Sequence, residues 1–132
     1  MQIEGIYLMA YLTTIDLVQG DRLPEIQVSL KDSNTAAAGR SLDPDDPTSF
    51  SPINIASGSV RMRLRKLGET TIKETLLGTI TNGSSGDVTF LFGENTLSEA
   101  GLFEGEIEFT NADGRTQTVV DLLKFKVRAQ FG

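Results

Sequence analysis

ENTLSEAGLFEGEIEFTNADGRTQTVVDLLKFKVR, from Glu94 to Arg128, contains the alternation that decides the fold. A turn-forming segment, Asn95 to Gly101, leads into a run in which Phe103, Gly105, Ile107 and Phe109 face one way and Glu104, Glu106 and Glu108 the other. Asn111-Ala112-Asp113-Gly114-Arg115 then supplies a tight reversal, because Asp-Gly tolerates the positive φ of a hairpin turn. A second extended run closes with Phe125-Lys126-Val127-Arg128. Period-2 alternation gives one buried and one wet face, the mark of an antiparallel sheet.

The same pattern recurs outward from this stretch. Ile26, Val28 and Leu30 alternate with Gln27, Ser29 and Lys31, and Val60, Met62 and Leu64 alternate with Arg61, Arg63 and Arg65. Weaker strands are expected near Thr13 to Val18, over Ile72 to Ile80 and over Val88 to Phe92. Turns are expected at Gly20-Asp21 and over Asn82 to Asp87. No helix longer than about a turn and a half is expected. Seven or eight short strands with frequent turn signals read as an all-β, antiparallel β-sandwich. Residues 1–18 form an N-terminal arm or first strand, and residues 19–132 the sandwich domain. From residue 33 to 51 the pattern lapses into turn formers and small residues with two of the four prolines, Pro44 and Pro47, an insertion loop of a length that is functional or disordered in compact domains.

The 132 residues suffice for one domain with its own core. Cysteine and histidine are both absent, which removes disulfides, thiolate chemistry, the commonest general base and the commonest transition-metal ligand. A net charge of −6 gains nothing from counterion release on a polyanion, so nucleic acid is not an expected partner. No run of 18 apolar residues is present, and the first 21 residues carry Glu4 without a basic segment, so neither a membrane span nor a signal peptide is expected.

The candidate sites are few. Arg61, Arg63 and Arg65 share one face and could bind an anion, but they match Glu104, Glu106 and Glu108 in spacing and sign, and cross-strand pairing is favoured. Asp43, Asp45 and Asp46 could offer oxygens to Ca²⁺, although the prolines around them and the lack of a suitably spaced glycine favour a turn. Asn82-Gly83-Ser84 fits both a glycosylation acceptor and a hairpin turn, and the turn is favoured. An enzyme would need paired acids in a cleft or a nucleophile beside a base. The exposed Glu triplet meets neither requirement, so no catalytic residue, metal or cofactor is expected.

Several pieces together resemble a known family: VQGDRLPEIQVSLKD, PINIASGSVRMRLRK, ENTLSEAGLFEGEIEFTNADGRTQTV and the closing KFKVR. They are similar to the N-terminal domain of phage baseplate upper proteins and to related immunoglobulin-like domains of tailed-phage virions. The resemblance runs from about Leu17 to Val127. It departs from the family in the long 33–51 insertion and in Phe103, where the family often has tyrosine.

The resemblance implies an immunoglobulin-like sandwich and a non-enzymatic structural protein of a tailed bacteriophage particle, located on the virion surface and assembled in the host cytoplasm. A capsid decoration or cement protein bridging neighbouring capsid subunits is expected ahead of a tail or baseplate adaptor, since the sequence has no segment to hold a receptor-binding partner. Expected partners are the major capsid protein or tail and baseplate proteins, with homo-oligomers on the particle. The arm residues Ile3, Ile6, Tyr7, Leu8, Tyr11 and Leu12 and the loop residues Leu42, Asp43, Asp45, Asp46 and Phe50 are the expected contacts, through strand addition or surface docking. A carbohydrate-binding module is the other class considered. With no Trp, and Tyr7 and Tyr11 its only tyrosines, a stacking platform is hard to build.

Overall fold

The computed structural model describes residues 6–8, 14–119 and 122–131. Ten strands are described: β1 (Ile6–Leu8), β2 (Ile15–Val18), β3 (Glu25–Ala36), β4 (Phe50–Pro52), β5 (Ser59–Lys66), β6 (Ile72–Asn82), β7 (Asp87–Leu91), β8 (Gly101–Thr110), β9 (Thr116–Thr118) and β10 (Leu123–Arg128). Two single 3-10 turns, Pro47–Ser49 and Gly83–Ser85, are the only helical segments among the described residues. The sheet runs in the order β1-β3-β7-β6-β5-β8-β10-β2, with β4 added to β3 and β9 to β8.

This one path curls into a sandwich because β6 belongs to both layers. Its first half pairs with β5, Leu76 opposite Met62 and Leu77 opposite Arg61. Its second half pairs with β7, Gly78 opposite Phe90 and Ile80 opposite Val88. The change of layer falls at Gly78, where an added Cβ would stand 2.5 Å from Val88 Cγ2 and 3.2 Å from the Val60 carbonyl oxygen. Between the layers lie Ile26, Val28, Leu30, Val88 and Phe90 from one side, and Val60, Met62, Phe103, Ile107 and Phe125 from the other. Gly105 lies on the inward face of β8 as its spacing predicts. It carries no side chain because Met62 Sδ would be 2.7 Å from a Cβ there.

The fold is thus the immunoglobulin-like β-sandwich the sequence implies, with three differences in detail. The pairing is mixed rather than wholly antiparallel, since β2 runs parallel to β10, Leu17 beside Val127. A lead strand can do this because it enters from the far end of the chain, and a parallel pair requires a long connection. The return from the Asp-Gly hairpin is two strands, β9 and β10, which share the same partner β8. The hairpin itself closes as expected: the Asn111 amide donates to the Arg115 carbonyl at 2.8 Å, and Gly114 has φ +84°.

The third difference is the insertion. β3 continues to Ala36 and β4 returns along it, with Asp32 opposite Ser51 and Ala36 opposite Phe50, so the irregular stretch shrinks to residues 37–46. Asp and Ser side chains replace the missing ladder there. Ser49, 1% exposed, places its Oγ 2.7 Å from the Asp46 carbonyl oxygen and 3.0 Å from the Asp43 amide.

Candidate docking surfaces

The outer face of the layer β5-β8-β10-β2 is built from four columns of alternating sign. Outward positions on β5 are Arg61, Arg63 and Arg65, and on β8 they are Glu104, Glu106 and Glu108. On β10 they are Lys124, Lys126 and Arg128, and on β2 the column is Asp16. The register sets Arg61 opposite Glu108, Arg63 opposite Glu106 and Arg65 opposite Glu104. Lys124 then lies opposite Glu104 and Lys126 beside Asp16.

The first two columns neutralise each other. Arg61 places Nη2 2.7 Å from Glu108 Oε1, Arg63 reaches Glu108 Oε2 at 3.3 Å, and Arg65 Nε donates to Glu104 Oε1 at 3.2 Å. Pairing, not anion capture, occupies this arginine row. The Glu108 and Glu104 side chains are only 13% and 14% exposed under those guanidinium groups, so the carboxylates are tied down as counter-ions rather than presented as acids or bases.

The third column is not so matched. Among the described residues Lys124 and Lys126 form no ion pair, and Arg128 lies over the exposed Phe131 ring at 5.3 Å. Asp16, Leu17, Val18, Lys126 and Arg128 line a shallow concavity where β10 meets β2. Next to Lys126 on the same face is Leu102, and the Leu67 amide donates to the Leu102 carbonyl at 2.9 Å. Leu67 and Leu102 are 50% and 47% exposed. Both are in phase with the wet-face residues, Leu102 with Glu104 and Leu67 with Arg65, so the alternation already sets them outside the core.

Of the expected arm contacts, Ile3, Tyr11 and Leu12 lie outside the described residues. Ile6, Tyr7 and Leu8 form β1, which pairs with β3 of the same chain, Tyr7 opposite Lys31. The described arm strand therefore pairs within its own chain. β3 is longer than β7: β4 continues along the edge that β7 covers only to Ser29, and β1 takes the opposite edge at Leu30 to Asp32. Among the described residues no further strand pairs with the outer edges of β1 and β2, the two ends of the sheet path.

The expected loop contacts divide. Leu42 is 41% exposed, and Asp43 and Asp45 are exposed. Phe50 is 2% exposed; it is an anchor inside the fold, not a contact, because β4 folds back onto β3. Asp43 Oδ1 accepts from the Asp45 amide at 3.0 Å. Asp46 accepts from the Thr48 hydroxyl at 2.6 Å and from the Thr48 amide at 3.0 Å, and its other oxygen lies 3.3 Å from Arg40 Nη2. The Thr48 hydrogen bonds, helped by Arg40, hold the Asp46 carboxyl below its ordinary pKa. Among the described residues no group of three or more acids is disposed to hold a metal ion.

At the opposite pole Lys66 donates to Glu99 at 2.9 Å, which raises the lysine pKa and lowers the glutamate's. Glu74 faces inward opposite Leu64 and has a buried Oε1 without a hydrogen bond. The adjacent Lys73 instead directs its ammonium to Asn95 O and Ser98 Oγ, at 3.2 and 3.0 Å.

No model of a known protein family matches the chain, and no curated protein matches it. Among solved structures it is similar to CopC from Methylosinus trichosporium OB3b, with a TM-score of 0.51 at 8% identity, covering 96% of this chain and 97% of that one. Murine CRIg aligns over the same shares at 8% identity with a TM-score of 0.39. The likeness to CopC is one of fold alone.

Proposed function

We propose that this chain is a non-enzymatic assembly module of a tailed bacteriophage particle, acting as a decoration or cement protein that bridges neighbouring capsid subunits. The observation that carries the assembly reading is the pair of sheet edges, β1 and β2, that no other described strand covers at the two ends of the strand path. An unpaired edge is a template for another chain, and proteins that keep one exposed cover it with a partner or blunt it. The salt-bridged glutamates support the same reading, since the carboxylates nearest to a catalytic set serve as counter-ions. Placement on a phage particle is supported by the sequence resemblance to immunoglobulin-like virion domains.

The test is immunogold electron microscopy of purified particles of the phage that encodes the chain, with antibody raised against the chain. Label spread over the head is the expected result. Label confined to the tail would overturn the capsid placement in favour of a baseplate adaptor, and unlabelled particles would overturn both.

A further inference from the structure

Half of the twelve basic residues project from one sheet face: the arginines of β5 and Lys124, Lys126 and Arg128 of β10. That face opposes them with Glu104, Glu106, Glu108 and Asp16, so it is net positive on a chain of net charge −6. The surplus lies on β10, beside the exposed Leu67 and Leu102. The matching feature is the 37–49 segment, where Asp43, Asp45 and Asp46 outnumber Arg40 and the exposed Leu42 stands beside them.

The two cannot meet within one molecule. The acidic turn follows the Ala36 end of β3. The cationic patch lies at the other pole, where Glu25 pairs with Leu91 and the Gln19 amide donates to the Arg128 carbonyl. The twelve residues of β3 separate these poles by roughly 35 Å at the rise of an extended strand.

We propose that copies of this chain associate head to tail, the acidic Leu42–Asp46 turn of one copy seating on the Lys126–Arg128 patch of the next. Leu42 packs on Leu67 and Leu102, and the aspartates face the β10 cations. The turn is preorganised for this: Ser49 and the buried Phe50 fix its base, and Arg40 braces Asp46, so little ordering cost falls on binding. Because donor and acceptor surfaces differ, the contact is heterologous and builds rings or open chains rather than a closed twofold dimer. This deepens the assembly reading by naming the surface between copies. Its test uses the purified chain alone, so either idea can fail without the other.

The experiment is sedimentation velocity of the full chain over a concentration series, at low and high salt. Species heavier than a dimer should grow with concentration at low salt and be lost at high salt, since the contact is electrostatic at its rim. Asp45→Lys removes the donor surface and Lys126→Asp the acceptor, so each variant alone should sediment as a monomer. Mixed together they should associate again, because the Lys126→Asp chain offers its turn to the Asp45→Lys patch and the two reversed charges attract each other at the other contact. Both substitutions are at exposed positions, and unchanged thermal unfolding serves as the control for folding. A wild-type chain that stays monomeric throughout, or variants that associate as the wild type does, would overturn the proposal. So would a mixture of the two variants that stays monomeric.

Discussion

Replacing Gly78 with alanine tests the corner on which the two layers turn. The new Cβ would stand 2.5 Å from Val88 Cγ2 and 3.1 Å from Phe90 Cε1, with the Val60 carbonyl oxygen at 3.2 Å. Carbon atoms in ordinary contact keep about 3.5–4.0 Å, so the nearest pair must separate by roughly an ångström. Val88 and Phe90 are both 0% exposed, and a β-branched side chain is stiff at χ1. Strain therefore passes to the β6–β7 backbone. Overpacking of this kind costs about 1–3 kcal/mol, and the crowding on three sides argues for the upper half. An unfolding entropy of about 2.1 cal/mol/K per residue over 132 residues converts 2–3 kcal/mol into a fall in Tm of about 7–11 °C. Urea unfolding of Gly78→Ala, Val88→Ala and the double variant separates crowding from other causes. If the methyl collides with Val88, the double variant should be more stable than the sum of the single losses by about 1 kcal/mol or more, within the range of coupling between touching residues. Strict additivity would refute the steric account of the corner.

The charge columns make a second prediction. Glu108→Arg places a third cation beside Arg61 and Arg63 and should lower stability by about 1 kcal/mol, an effect that shrinks in high salt. Combining it with Arg61→Glu should recover most of the loss in a chemical unfolding series. The acidic turn makes a third. A folded pKa below the ordinary 3.8 means that Asp46 favours the folded turn fully above 3.8, with that contribution lost as pH falls toward its lower folded value. An NMR titration of the Asp46 carboxyl should show this depressed midpoint, and Thr48→Val should move it back toward 3.8.

The elements that could be read from sequence are those governed by period-2 burial and Asp-Gly turn chemistry. β5, β8 and the inner half of β3 lie where the alternation of Val60, Phe103 and Ile26 predicts, and the opposed arginine and glutamate triplets followed from equal spacing and opposite sign. The layer change at Gly78 was not legible, since glycine in a strand marks close approach without saying to what. The parallel placement of β2 depends on which edge was left free after every other strand had paired. Phe50 was misjudged because its neighbours are turn formers, and only the return of β4 along β3 takes it inside. The outward phase of Leu67 and Leu102 follows from the same alternation, but that they adjoin the β10 cations depends on β8 pairing with β10, which the alternation does not specify.

The four outer columns also bear on how one strand order is chosen over others. β5, β8, β10 and β2 carry positive, negative, positive and negative outward groups in turn, so exchanging any two neighbours would set like charges side by side. Each such juxtaposition costs a few tenths to about 1 kcal/mol, and a slipped register would also turn Phe103 or Ile107 outward. The core alone distinguishes registers but not neighbours, because every strand here offers a similar apolar face. Charge supplies the missing discrimination within the chain. The column with the fewest ion pairs among the described residues, β10, has cations left over, and it lies next to β2, the end of the sheet path. A surface whose charges were needed only for folding would end neutral. This one ends positive on an acidic protein, at the pole opposite its most acidic turn, and that imbalance is what a contact between molecules would use.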